Sequence, residues 1–225
     1  MIVRKENSMW KYWSIKQLTA LLSCILISFS VHASEIDKSQ PYQMMKQVSE
    51  QAFARLKSEQ EIVQENPEHL KVIVEEELMP YVNDRYAALK LLGQNAKGAD
   101  RADVGVFMQA FRKYLVTSYA QALTLYTTQT IELGPEPKIA KGKRITSIKV
   151  DIIDSPRPNI QLEFKLRKDN RTGEWAAFDI IAEGISLLSS KQSEWSGKLR
   201  QEGILAVAKE LETLSTQPIQ FERTQ

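Results

Sequence analysis

The pattern of hydrophobic and polar positions changes its period twice along the chain. Over residues 41–126, apolar residues recur every three or four positions, as they do in helices that bury one face. Within residues 128–182 the period becomes two, which is typical of strands with one buried and one solvated face. Over residues 186–214 the helical period returns. We therefore expect one α+β domain over residues 34–225, in which several helices surround an antiparallel meander.

Caps and breaks in the helical pattern predict where individual helices begin and end. Asn66-Pro67-Glu68 predicts a helix start, because asparagine caps helices well and proline suits the first turn. Pro80 interrupts the pattern, and Gly93 predicts a helix end. The longest helix is expected from about Asp100 to Tyr126. Its apolar stripe includes Val104, Phe107, Phe111, Tyr114, Leu115, Ala122 and Leu125.

The strand pattern is clearest at residues 159–168, where apolar and polar side chains alternate almost without exception. Residues 144–153 and 175–182 are its expected neighbours, and turns rich in proline, asparagine and glycine join them. Residues 218–221 are a candidate closing strand, so we expect a sheet of about four strands. One face of this sheet should be apolar and the other wet.

The first 33 residues are typical of a secretory signal peptide. Lys11 and Lys16 precede an uncharged apolar run at residues 18–31, and Val31-His32-Ala33 supplies the small residues for cleavage after Ala33. A membrane span needs about 20 apolar residues, so the run is short for an uncleaved anchor. A lipoprotein site at Cys24 is a further alternative, but the apolar run continues beyond this cysteine.

Composition excludes several kinds of site. The whole chain carries 30 basic and 28 acidic residues, and removal of the leader leaves a net charge of −1. This balance gives no support for a nucleic-acid-binding protein. The mature chain has no cysteine, and His69 is its only histidine. Disulfides, thiol nucleophiles and zinc sites of cysteine and histidine are therefore excluded.

Few residues suggest catalysis. A lone histidine early in a helix, such as His69, is usually a surface residue, and the run Glu75-Glu76-Glu77 is typical of a solvated helix face. Asp179 and Glu183 flank the end of the last long strand, and paired carboxylates can perform acid–base chemistry. Solvated or ion-paired carboxylates are the commoner case. The sequence has no GxSxG motif, no P-loop and no dinucleotide-binding glycine pattern.

Basic residues concentrate at the expected hairpin ends. They form either a solvated edge or a rim that meets anionic headgroups or an acidic partner surface. The candidate partner-docking residues in this group are Lys143, Arg144 and Arg167.

Three apolar strand faces and about six amphipathic helices must converge within 192 residues. Such a shell can close tightly, or it can enclose a cavity. The periodicity of the sequence does not distinguish these two arrangements.

Several segments of the chain form a specific series. They are Glu77-Leu78-Met79-Pro80-Tyr81-Val82, Tyr86-Ala87, Leu92-Gly93, Phe111-Arg112-Lys113-Tyr114-Leu115 with Phe107 and Tyr119, and Phe178-Asp179-Ile180-Ile181-Ala182-Glu183-Gly184-Ile185-Ser186 with Trp175. In order and spacing they resemble the MlaC family, the periplasmic phospholipid-binding proteins of the Mla (maintenance of lipid asymmetry) pathway. The match runs from about Pro41 to Leu214, which is nearly the whole mature chain.

The resemblance implies helices wrapped on a strongly twisted antiparallel sheet with an interior lipid slot. It also implies a soluble, monomeric periplasmic carrier without enzymatic activity, cofactor, metal or nucleic-acid partner. Such a carrier shuttles phospholipid between an outer-membrane lipoprotein–porin complex and the inner-membrane Mla ABC transporter complex, and thereby maintains outer-membrane lipid asymmetry. The alternatives are a periplasmic lipid hydrolase that uses Asp179 and Glu183, and a ligand-free interaction module with a solid core.

On this interpretation the apolar strand face and the long helix line the slot. Ile185 is included because it follows Glu183-Gly184, where the sheet pattern gives way to a helical one. The expected lipid-binding residues are Phe107, Phe111, Tyr114, Leu115, Ile148, Val150, Ile152, Leu162, Phe164, Ile180, Ile185 and Leu188.

Overall fold

The computed structural model describes residues 36–156 and 158–221 of the 225-residue chain. The predicted leader and its cleavage site after Ala33 lie outside the described residues. Within the described ranges the chain forms seven α-helices and a five-stranded sheet. The predicted α+β class is therefore confirmed. None of the described helices is both long enough and apolar enough to span a bilayer.

The first half of the domain is helical, and local sequence signals set its boundaries. Pro41 occupies the first position of the first described helix. The Asn83 side chain accepts a hydrogen bond from Tyr86 N–H, and Asp100 accepts one from Ala102 N–H, so both residues act as N-caps. Gly93 ends its helix with φ of +53°, a conformation that favours glycine. The helices are α1 Pro41–Ser58, α2 Gln60–Glu65, α3 His69–Ile73, α4 Asp84–Leu92 and α5 Arg101–Leu123.

The chain between α3 and α4 departs from regular α-helix. A π-helical turn at Val74–Leu78 continues α3, and a 3₁₀ turn at Met79–Tyr81 follows it. Proline cannot donate the backbone hydrogen bond that a continuing helix needs, so the helix is interrupted at Pro80 as predicted. A second 3₁₀ turn, Gly93–Ala96, precedes α5.

The sheet is a simple antiparallel meander, in which the five strands lie side by side in the order of the sequence. Its apolar face follows the predicted alternation, because Ile148 pairs with Phe164 and Val150 pairs with Leu162. The register shifts at Lys165/Leu166, so Phe178 is the extra residue of a β-bulge. The strands are β1 Thr130–Leu133, β2 Ile145–Ile153, β3 Ile160–Lys168, β4 Trp175–Ala182 and β5 Ile185–Ser186.

The candidate closing strand at residues 218–221 is not a strand. Ile219 is buried instead, and its N–H donates to Glu68 Oε1 at 2.7 Å, so this segment packs beside the start of α3. The periodic pattern did not predict β1 and β5, the two short strands at the edges of the sheet. The C-terminal helices before this segment are α6 Leu187–Gln201 and α7 Ile204–Ser215.

Three hydrophobic clusters hold the domain together. The first joins α4, α5, α6 and α7 around buried side chains such as Phe107 and Trp195. The second joins α1 to the apolar face of the sheet through Met44 and Ile148, and the third joins α1 to α3 and α5. The clusters adjoin one another, since Leu78 packs against the second and the third and strand β4 contributes to the first two.

Candidate functional site

A cavity of about 250 Å³ lies between α1 and the apolar face of the sheet. Nearly all of its wall is carbon, since aliphatic and aromatic side chains supply most of it. Helix α1 lies over one side of the sheet, and the π-helical and 3₁₀ turns close one end. The lining residues are Met45, Val48, Ser49, Ala52, Phe53, Leu78, Tyr81, Val82, Tyr119, Ala122, Leu123, Ile131, Val150, Ile152, Leu162, Phe164, Ala177, Phe178, Asp179 and Ile180.

A second cavity, also of about 250 Å³, lies between α5, β4 and the first turns of α6. It is apolar toward the interior, but α6 adds hydroxyl and ammonium groups at one side. The lining residues are Val82, Ala87, Phe111, Tyr114, Leu115, Ser118, Tyr119, Phe178, Asp179, Ile180, Leu187, Leu188, Ser190 and Lys191.

The two cavities share a wall. Burial raises the pKa of the Tyr119 hydroxyl, and the nearby charge of Asp179 acts in the same direction. The hydroxyl therefore stays protonated near neutral pH. The residues that line both cavities are Val82, Tyr119, Phe178, Asp179 and Ile180.

Asp179 organises the start of α6. Its Oδ2 accepts a hydrogen bond from Ser186 Oγ at 2.7 Å, and its Oδ1 accepts one from Leu188 N–H at 3.1 Å. Glu183 is occupied separately, because its Oε1 accepts a hydrogen bond from Gln161 N–H at 2.8 Å. Each carboxylate thus binds its own backbone donor. This arrangement is typical of structural carboxylates that satisfy exposed backbone N–H groups.

We expect Asp179→Ala to lower the free energy of unfolding by about 1–3 kcal/mol, because it leaves the α6 donors without their charged acceptor. Urea unfolding followed by circular dichroism measures the change. Glu183→Ala is the matched control, and we expect a smaller loss because Glu183 is exposed. Equal stability of Asp179→Ala and the wild type would contradict the structural role.

Residues 46–213 match the family model described as MlaC protein. This chain belongs to the MlaC family. It is 32% identical over 208 residues to the "Intermembrane phospholipid transport system binding protein MlaC" of Haemophilus influenzae, which covers 92% of this chain and 97% of that protein. The resemblance of the sequence segments to this family is therefore confirmed.

A solved structure supports the fold of this MlaC-family chain. The phospholipid-binding protein of Ralstonia solanacearum, solved in complex with a phospholipid, aligns with a TM-score of 0.68 at 16% identity. The alignment covers 80% of this chain and 97% of the Ralstonia chain. At this identity the match concerns the fold.

The structure brings nine of the twelve expected lipid-binding residues to the cavities. Ile180 lies on the shared wall. Contact of these residues with lipid remains a prediction. The others divide between the cavities, with Val150, Ile152, Leu162 and Phe164 on the first and Phe111, Tyr114, Leu115 and Leu188 on the second.

The remaining three expected residues line neither cavity. Phe107 is fully buried among helices and stacks on Phe111 with ring centroids 6.1 Å apart. Ile148 is 1% exposed, in the core between the sheet and α1. Ile185 is 61% exposed on the edge strand β5, because the turn at Glu183-Gly184 places it at the edge of the sheet. We expected Ile185 to line the slot, whereas the structure places its side chain largely in solvent.

Sequence reasoning missed much of the cavity wall of this MlaC fold. Helix α1 supplies one whole side of the first cavity, although its apolar stripe was visible in the sequence. Tyr119 follows the apolar stripe of the long helix in the sequence, but nothing in the sequence indicated that it would line both cavities. The missed residues include Met45, Val48, Ala52, Phe53, Leu78, Tyr81, Val82, Tyr119 and Phe178.

The candidate docking residues lie close together at one end of the sheet, since Arg167 pairs with the residue that follows Arg144. The Arg167 guanidinium lies 4.4 Å from the centroid of the Tyr86 ring, so it is engaged in a cation–π contact. Lys143 and Arg144 are exposed in the segment before β2. The cavity-lining end of β2 at Ile152 is seven residues beyond Ile145, or about 23 Å along the strand. Ala177, however, also lines the first cavity and pairs with Leu166, so the basic end of the sheet lies near the other end of this cavity.

The other candidate groups lie outside the cavities. His69 Nε2 is 2.6 Å from Glu59 Oε2, so the histidine has a carboxylate partner. The acidic run is ion-paired, since Arg55 Nη1 lies 2.8 Å from Glu77 and Arg112 pairs with Glu75. Among residues 36–156 and 158–221, no group of three or more histidine, cysteine, aspartate and glutamate side chains is placed to hold a metal ion.

Proposed function

We propose that the protein is a periplasmic phospholipid carrier that shuttles lipid between membrane complexes and maintains outer-membrane lipid asymmetry. The observation that carries this proposal is the pair of apolar cavities within an MlaC-family fold. The Haemophilus relative is named as the binding protein of an intermembrane phospholipid transport system, and the Ralstonia protein was solved with a phospholipid. Both names support the same cargo.

Physical chemistry explains why such a carrier needs an enclosed apolar site. Two acyl chains hold about 30 methylenes, and each methylene costs about 0.8 kcal/mol to expose to water. A free phospholipid that crosses an aqueous compartment therefore faces a gross penalty on the order of 20 kcal/mol. Cavities lined by carbon remove most of this penalty without any catalytic group. A passive carrier equilibrates its cargo, so direction must come from its partners.

Native mass spectrometry of protein purified without detergent tests the proposal. We expect one diacyl phospholipid per mature chain, released intact by organic solvent. Protein that carries no lipid after expression in a double-membraned bacterium would contradict it. The same extracts distinguish a hydrolase, since release of fatty acid or lysophospholipid that Asp179→Asn or Glu183→Gln abolishes would replace the carrier by an enzyme.

We infer that the protein is not an enzyme and needs no cofactor. Asp179 and Glu183 are each committed to backbone and hydroxyl donors, and this commitment supports a structural role for both. The large cavities argue against the ligand-free module, because that alternative required a solid core.

We further infer secretion through a signal peptide cut after Ala33, a monomeric carrier in the periplasm, and two partners. These partners are the inner-membrane Mla ABC transporter complex and the outer-membrane lipoprotein–porin complex. A carrier that cycles between them needs small, polar and salt-sensitive interfaces, because tight binding to either partner would stop the cycle.

The exposed pair Lys143 and Arg144 tests docking at the basic end of the sheet. We expect the double reversal Lys143→Glu with Arg144→Glu to slow lipid transfer from partner-bearing membranes several-fold at low salt, and less at high salt. The lipid content of the isolated variant should be unchanged. Reversal of Lys46 and Lys57 on α1 is the control with the same change in net charge. Equal transfer rates for both double variants would place docking elsewhere.

A further inference from the structure

Tyr119 presents a hydroxyl group to both cavities at the wall that they share. Among the residues that the structure describes, no side chain or backbone group hydrogen-bonds to it. Since burial holds the hydroxyl in its protonated form, it is a permanent donor in surroundings of carbon. A donor in such surroundings is stabilised when an acceptor reaches it. The wall between the cavities is therefore a place where a ligand acceptor fits.

The size of each cavity indicates how much ligand it accepts. A water in the liquid occupies about 30 Å³, so a cavity of about 250 Å³ has room for roughly eight groups of that size. One acyl chain is longer than this, with about 15 methylenes. Neither cavity therefore has room for both chains of a diacyl lipid, and each has room for part of one chain.

We propose that a bound diacyl lipid straddles the shared wall, with one acyl chain in each cavity and an ester carbonyl oxygen accepting the Tyr119 hydroxyl. This inference rests on the proposed function and adds the internal arrangement of the cargo. The two chains of a diacyl lipid diverge at their ester linkages. These linkages carry acceptors and no donors, so they match a single hydroxyl donor at the point where the cavities meet. The other polar group of the shared wall, Asp179, accepts hydrogen bonds from Ser186 and Leu188, and an ionised carboxylate has no proton to donate to an ester.

Blocking one cavity at a time tests the division of the chains. Ser49 on α1 lines only the first cavity, and Ser118 on α5 lines only the second. Ser49→Trp and Ser118→Trp each fill one cavity with an indole ring, and Ser193→Trp on the exposed face of α6 is the matched control. The full mature proteins are equilibrated with equal amounts of dioleoyl-phosphatidylglycerol and oleoyl-lysophosphatidylglycerol. Native mass spectrometry then gives the ratio of diacyl to monoacyl lipid bound.

We expect both cavity variants to lose at least tenfold in the diacyl-to-monoacyl ratio while they retain the monoacyl lipid. The Ser193→Trp control should keep the wild-type ratio. A wild-type ratio in either cavity variant would overturn the proposal, because both chains would then share the open cavity. A wild type that binds neither lipid would refute the proposed function itself. Circular dichroism establishes that each variant is folded, and leucine replaces tryptophan at a site where the larger ring prevents folding.

The hydroxyl contact has an independent test that requires no blocking. Wild-type protein should prefer diester over diether phosphatidylglycerol by about fivefold, the effect of one hydrogen bond of ordinary strength. Tyr119→Phe should bind the two lipids equally. Tyr126→Phe is the control, because Tyr126 packs against Phe53 and lines neither cavity. An unchanged diester preference in Tyr119→Phe would overturn the assignment of Tyr119 to the ester.

Discussion

Ile152→Glu should abolish lipid binding and leave the protein folded. Ile152 lines the first cavity from the apolar face of β2, and its side chain is only half-buried. A carboxylate at this position remains hydrated while the cavity contains no lipid. Once an acyl chain enters, the charge loses its water and gains no partner, which costs several kcal/mol. We expect a loss of at least 100-fold in lipid affinity, measured by the lipid content of purified protein and by exchange with vesicles.

The control for this variant is Ile145→Glu on the same strand. Ile145 pairs with Arg167, lies on the opposite face of the sheet and is 51% exposed. Its replacement adds the same charge to the same strand without approaching the cavity. Lipid content should therefore match that of the wild type. If Ile152→Glu retained lipid while folded, or if both variants lost lipid equally, the first cavity would not be the lipid site.

The alternation of the strands was predictable because it records a physical constraint. Successive side chains of a strand point to opposite faces, so Val150, Leu162 and Phe164 had to share a face whatever packed against it. The packing partner was not predictable. Helix α1 covers this face but leaves the first cavity between them, and nothing in a period of two distinguishes a covered face from a cavity wall.

The long helix shows the same limit more sharply. Phe107 and Phe111 lie on the same apolar stripe, and the sequence predicts lipid contact equally for both. In the structure Phe111 reaches the second cavity, whereas Phe107 is enclosed by α4, α6 and α7. The difference depends on where other helices cross α5, which is a tertiary property. Tyr119 was not predicted to line a cavity for a related reason. A tyrosine on an apolar stripe commonly buries its ring and keeps its hydroxyl in water.

The turns around Pro80 illustrate how local sequence and distant contacts combine. Proline predicted an interruption of the helix, but not a π-helical turn before it. Arg55 of α1 pairs with Glu76 and Glu77, and Arg112 of α5 pairs with Glu75 and Asp84. Two helices thereby hold the acidic turn from both sides. Leu78 and Tyr81 line the first cavity, so these surface ion pairs help to position its end.

The second large effect concerns stability rather than binding, because Phe107 was expected to contact lipid and instead lies in the helical core. Phe107→Ala removes a fully buried ring that stacks on Phe111, and the rigid helices around it cannot fill the space. We expect the free energy of unfolding to fall by about 3–5 kcal/mol, measured by urea unfolding of protein stripped of lipid. Val106→Ala is the control, since Val106 is the preceding residue and is 49% exposed, and it should change stability by less than about 0.5 kcal/mol.

Lipid selectivity distinguishes a core residue from a cavity residue in the same variant. A cavity-lining side chain contacts the cargo, so its removal should alter which chain lengths are bound. Phe107 lines neither cavity, so the folded fraction of Phe107→Ala should bind the same chain lengths as the wild type. A variant with wild-type stability and altered chain-length preference would return Phe107 to the lipid path. The combination of lost stability with unchanged selectivity follows only from its place between α4, α6 and α7.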